Sequence, residues 1–71
     1  MATEIVNGKK YLRYTLENHD DAYMTRLIDA VNKVGGMVDS IKETGFVLYP
    51  KLTISFLIPE ERAATFNFKN V

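Results

Sequence analysis

One stretch, Asp20 to Val34, repeats apolar residues at helical spacing and is closed by Gly35-Gly36. It restricts the chain to folds in which a single amphipathic helix lies on something flatter. Met24, Leu27, Ile28, Val31 and Val34 recur every three or four residues, whereas Thr25, Arg26, Asp29, Asn32 and Lys33 fall on the opposite side. Asn18, Asp20 or both can accept hydrogen bonds from the free amides at the helix start, and the neighbouring acids suit its positive end. Gly35 or Gly36 can take the left-handed conformation that ends a helix without a Cβ penalty.

The segments around this helix alternate apolar and polar residues, the period of a strand with one face inward. Thr3 to Val6 and Lys9 to Glu17 are joined by Asn7-Gly8, the pair best suited to a two-residue hairpin turn. In the second run Leu12, Tyr14 and Leu16 share one face, and Lys9, Tyr11, Arg13, Thr15 and Glu17 share the other. Met37 to Glu43 reads as the strand after the helix, broken at Thr44-Gly45. Phe46 to Tyr49 and Lys51 to Ile58 continue as strand sequence around Pro50, which marks an edge, a bulge or a bend because proline cannot donate to a ladder. Leu52, Ile54, Phe56 and Ile58 oppose Thr53 and Ser55, with Leu57 the exception. Pro59 to Arg62 fits either a turn or a short helix running to about Thr65. Phe66 and Phe68, alternating with Asn67 and Lys69, predict a last strand. The pattern predicts one α+β domain over residues 1–71: a four- or five-stranded, mostly antiparallel sheet with one main helix on one face, close to a truncated ferredoxin-like arrangement.

A chain of 71 residues is near the lower limit of independent folding and usually needs a disulfide, a metal or a partner. Cysteine is absent, there is one histidine, and the carboxylates lack metal-loop spacing, so neither a disulfide, a metal nor a cofactor is expected. A helix of this length is roughly 22 Å long and 10 Å wide, about half the breadth of a sheet of four or five strands at about 4.8 Å spacing. Leu12, Tyr14, Leu16, Leu52, Ile54, Phe56, Ile58, Phe66 and Phe68 would line more sheet than the helix covers. A homodimer is the expected remedy. Nine basic and nine acidic residues give no net charge to draw the chain toward nucleic acid or an anionic membrane. No basic stretch leads into an apolar run at the start, and no apolar run is long enough to cross a bilayer, so a cytoplasmic location without membrane contact is expected.

His19, beside Asn18 and Asp20-Asp21, is the one candidate for proton transfer or cation binding, and no second imidazole, thiol or serine motif accompanies it. Glu17, Asp20 and Asp21 suit the helix dipole without a metal. Tyr11, Arg13 and Thr15, with Lys51, Thr53 and Ser55, have the composition of a stacking and phosphate-contacting platform for single-stranded nucleic acid. Any sheet with one solvated face shows the same pattern, and zero net charge disfavours the nucleic-acid reading. Gly35-Gly36 closes a helix, whereas a dinucleotide fingerprint opens one.

Arg13-Tyr14-Thr15-Leu16-Glu17-Asn18, Leu27-Ile28-Asp29-Ala30-Val31 and Gly35-Gly36-Met37-Val38-Asp39-Ser40-Ile41 resemble the first strand, helix and second strand of ACT-type regulatory domains. The resemblance covers Leu12 to Ile41, roughly two fifths of the chain. It implies a small-molecule pocket, for an amino acid or similar ligand, with Asn18, His19 and Asp20 at its rim. The chain departs from that pattern in lacking a proline-glycine pair in the loop and in adding an N-terminal hairpin. No enzyme is expected. The leading expectation is a non-catalytic protein-interaction module, a small homodimeric regulator or inhibitor with a mobile element as one origin. An ACT-like sensor and a single-stranded nucleic-acid binder are the alternatives.

Overall fold

A computed structural model describes residues 3–46, 48–68 and 71 of the chain. The elements run β1 (Thr3–Val6), β2 (Lys9–Asn18), α1 (Asp21–Lys33), β3 (Met37–Phe46), β4 (Tyr49–Pro59) and α2 (Glu60–Ala63). The strands form one sheet in the order β1-β2-β4-β3, each neighbouring pair antiparallel. The fold is α+β, as the sequence predicts. β2 and β3 both oppose β4 and so run parallel to each other, with α1 connecting them across the inserted strand. Among the described residues no helix is long and apolar enough to cross a membrane.

The chain reverses between β1 and β2 because Asn7 and Gly8 take φ angles of 52° and 80°, the pair of positive values that a two-residue hairpin of matching twist requires. Asp20 caps α1, its carboxylate accepting from the amides of Ala22 and Tyr23 at 3.0 and 3.3 Å. The helix ends in a Schellman motif: the Gly36 amide donates to Val31 and the Gly35 amide to Asn32, at 2.8 and 3.1 Å, with Gly35 at φ 81°. Gly36 is fixed by crowding. A Cβ there would lie 2.5 Å from the Leu57 carbonyl oxygen and 2.7 Å from the Val31 side chain.

Met24, Leu27 and Val31 of α1 pack on Ile54, Phe56 and Ile58 of β4, and these six residues form the buried core. The sequence-based argument that one helix cannot cover the sheet's apolar face holds, but the chain supplies the second cover itself. After α2, Phe66 and Phe68 fold over the same face. Phe68 meets Tyr14 edge-on at 5.2 Å between centroids, Phe66 meets Phe68 at 4.9 Å, and Tyr14 stacks on Phe56, its cross-strand neighbour, at 5.6 Å. The Tyr23 hydroxyl donates to the Phe68 carbonyl at 2.9 Å, and Arg26 Nε donates to the Val71 carbonyl at 3.1 Å.

Four expectations need correction. The strand expected at Phe66 and Phe68 does not form, because the chain after α2 crosses the inner face and the aromatic alternation is used for packing there; Lys69 lies outside the described residues. The expected break at Thr44-Gly45 does not interrupt β3, which continues to Phe46 with Gly45 at φ 95° opposite Pro50. The irregularity lies earlier, between Val38 and Ser40, where Asp39 is an extra residue in the ladder. Of the two readings of the segment after Ile58, the short helix forms, over Glu60–Ala63 and so short of the expected run to Thr65, with Pro59, the last residue of β4, buried at its entry. The expected strand Phe46 to Tyr49 is instead the reversal between two strands: Phe46 ends β3, Tyr49 opposite it begins β4, and Leu48 lies in the turn, while Val47 lies outside the described residues.

Candidate functional site

The β2–β4 ladder ends at Asn18 opposite Leu52, but the β3–β4 ladder continues through Thr44–Lys51 and Gly45–Pro50 to Phe46–Tyr49. Three residue pairs therefore project as a two-stranded arm about 10 Å long at 3.3 to 3.4 Å per residue. Leu48, in its turn, is 83 % exposed. The arm lies beside the β2–α1 connection, and the angle between the two contains two adjoining hollows. The larger, of about 330 Å³, is lined by His19, Leu48, Pro50 and Lys51. The smaller, of about 130 Å³, is lined by His19, Asp21, Glu43, Pro50 and Leu52.

The expected rim residues divide by role. Asn18 Oδ1 accepts from the Asp20 amide at 2.8 Å, and Asp20 caps the helix, so both polar side chains are used in shaping the turn. His19 is exposed and lines both hollows. Lys51 Nζ lies 3.4 Å from Glu17 Oε1. Asp21 and Glu43 enter no ion pair among the described residues. Sequence reading missed Leu48 and Glu43, which look like ordinary strand residues until the ladder is seen to outrun β2. Among the described residues, no three His, Cys, Asp or Glu side chains come together as metal ligands.

The outward sheet face carries the other candidate residues, and there Arg13 is committed to its own fold. Its Nη1 donates to Ser55 Oγ at 2.6 Å and to Asp39 Oδ2 at 2.7 Å, its Nη2 donates to Glu4 Oε1 at 2.9 Å, and its Nε pairs with Glu4 Oε2. One guanidinium on β2 thus ties β1, β4 and β3 together. The Asp39 bulge supplies the far end of this link. The hydrogen bond from Arg13 holds the Glu4 carboxyl below its ordinary range, and Glu4 followed by Asp39 holds Arg13 further in its charged form. Tyr11 is half-buried with Lys9 Nζ 6.0 Å above its ring centre. Of the cations expected to meet phosphate, Arg13 and Lys51 each face a carboxylate of the chain. Comparison with family models, curated proteins and solved structures returns no match for this chain.

Proposed function

We propose that the chain is a non-catalytic protein-interaction module, a small cytoplasmic regulator or inhibitor that engages another protein through the tip of the β3–β4 arm. One observation carries this reading: Leu48, 83 % exposed, stands at the end of a ladder that extends past the body of the domain. Burying a leucine against a partner contributes about 1.5 to 3 kcal/mol, and a hydrogen-bonded hairpin presents it with little ordering cost. Affinity capture from the cells that encode the chain, with wild-type and Leu48→Asp baits side by side, tests the reading. A stoichiometric protein held by the first bait and lost from the second supports it. Recovery of the same proteins by both baits, or of none, overturns it.

Self-association belongs to the same reading. The C-terminal segment covers the β2 side of the inner face, and on the opposite edge Ile41 of β3 stays 51 % exposed beside the buried core. A second copy that buries Ile41 makes the module a homodimer.

An ACT-like sensor of small molecules is the second reading, favoured by the position of His19 on both hollows. A thermal-shift screen against metabolites tests it, since a ligand at 100 times its dissociation constant stabilises by about 2.7 kcal/mol. The absence of any shift across amino acids and their relatives overturns it. Nucleic-acid binding through Tyr11, Arg13 and Lys51 is disfavoured by the carboxylates that already hold two of those three residues.

A further inference from the structure

We propose that β1 is a strap that opens from the edge of β2 while the rest of the domain stays folded, and that the pair of Glu4 and Arg13 is its latch. β1 and β3 are the two opposite edges of the sheet, so this opening is independent of the interaction assigned to the Leu48 arm. The core anchors the other three strands. β4 supplies Ile54, Phe56 and Ile58, and Tyr14 and Leu16 of β2 and Val38 of β3 pack against that cluster. No residue of β1 joins it: all four are at least partly exposed, Ile5 most of all at 69 %. The ladder of β1 is with β2 alone. A segment without buried apolar contacts opens at a lower free energy than the core it borders.

Among the described residues one side chain of β1 is tied to the body, Glu4, whose carboxylate accepts from Nε and Nη2 of Arg13. The latch is one-sided. Arg13 Nη1 also donates to Ser55 of β4 and Asp39 of β3, so a guanidinium that loses Glu4 still links the three remaining strands. β1 can therefore leave without undoing any contact of the core or of that link. Its departure bares the edge of β2, which it covers only from Lys9 to Leu12. Among the described residues no other strand pairs with that edge, so β2 is then open along its whole length on one side.

Native-state amide hydrogen exchange of the full chain, read by NMR, tests the strap because β2 carries both ladders. In a two-residue hairpin the pair flanking the turn exchanges both of its hydrogen bonds and the bonded pairs then alternate, which places the amides of Glu4, Val6 and Tyr11 in the β1–β2 ladder. Those of Leu12 and Tyr14 turn toward β4. Glu4, Val6 and Tyr11 should exchange measurably slower than an unfolded chain yet roughly tenfold or more faster than Leu12 and Tyr14. Their rates should also be nearly flat in low urea, since a small opening exposes little surface. Two variants separate the strap from general unfolding, and the spectrum of each reports whether it is folded. Asp20→Ala removes a helix cap that stays intact when β1 opens, so it should speed Leu12 and Tyr14 by about fivefold and leave Glu4, Val6 and Tyr11 unchanged. Glu4→Gln breaks the latch and should speed Val6 and Tyr11 by about two- to fivefold. Amides of β1 that match Leu12 and Tyr14 in rate and urea dependence, or that speed with Asp20→Ala, would mean that β1 leaves only with the whole domain. That result overturns the proposal, as do β1 amides without protection or indifferent to Glu4→Gln.

Discussion

Arg13 shows how a residue's role is decided by where its neighbours bring their charges. On an isolated outward strand face it is a phosphate ligand, but with Glu4 on one side and the bulged Asp39 on the other it cross-links all four strands. Lysine lacks the planar fork that meets several acceptors together. Arg13→Lys is therefore expected to lower the melting temperature nearly as much as Arg13→Met, a comparison that calorimetry settles. Glu4 makes the same network sensitive to acid. Its ordinary value of 4.5 is lowered in the folded chain by the Arg13 hydrogen bond, so the unfolded chain takes up the proton first as pH falls. The stabilisation is complete above the unfolded value and disappears as pH drops through the folded one. Urea denaturation of wild type and Glu4→Gln should accordingly show a stability gap at neutral pH that closes as pH falls below the ordinary Glu4 value of 4.5. A gap independent of pH refutes this role for Glu4. Gly36 is a steric case: Gly36→Ala is expected to cost about 1 to 3 kcal/mol in the same assay, as methylenes forced into packed sites do, because the Leu57 carbonyl and Val31 block a methyl group.

At the scale of elements, the helix and the first hairpin were legible because their signals are local, whereas the β3–β4 reversal was not. The stripe from Met24 to Val34, the Asp20 cap, the Gly35-Gly36 stop and the Asn7-Gly8 turn each depend on residues within a few positions of one another. Replacement of the cap by Asp20→Ala is expected to cost about 1 kcal/mol of stability in urea denaturation. The features that escaped are set by distant partners. The Asp39 bulge is registered against β4 and Arg13, and Phe66-Asn67-Phe68 has the alternation of a strand but lies across the inner face, with Phe68 against Tyr14 and Phe56. Period alone cannot distinguish an aromatic that pairs in a ladder from one that lies across it. The packing reading of Phe68 has a consequence of its own. Phe68→Ala should cost about 2 kcal/mol, less than the 3 to 5 of a fully buried phenylalanine, since this ring is half-buried. It should also shift the NMR signals of Tyr14 and Phe56, which a frayed strand would leave untouched. The candidate site was legible in part: of the expected rim of Asn18, His19 and Asp20 only His19 lines the hollows, whereas Leu48 and Glu43 became visible only when β3 and β4 were seen to extend beyond β2.

For the whole molecule, the open question of assembly turns on which apolar surface is left after the chain has folded on itself. Ile54, Phe56 and Ile58 are fully buried within one copy, so crowding at the centre of the sheet gives no reason for a second. What remains among the described residues lies at the margins: Leu48 at the tip of the arm, Ile5 on β1, 69 % exposed, and Ile41 on β3, 51 % exposed. These edges are unequal. β1 is only four residues long, whereas β3 presents ten, though its bulge at Asp39 and Lys42 beyond it are features that discourage ladder pairing. Two copies meeting at β3 are therefore expected to bury Ile41 by side-chain packing across a two-fold axis, without extending the sheet through the bulge. Sedimentation equilibrium across micromolar concentrations should then show reversible growth from the 8.1 kDa chain toward its dimer. Ile41→Lys should hold the chain as a monomer, and Ile5→Lys should leave the dimer intact. A wild-type chain that sediments as an 8.1 kDa species throughout removes self-association from the proposed function while leaving the Leu48 arm untouched. Loss of dimer with Ile5→Lys and not Ile41→Lys would place the contact on β1 instead.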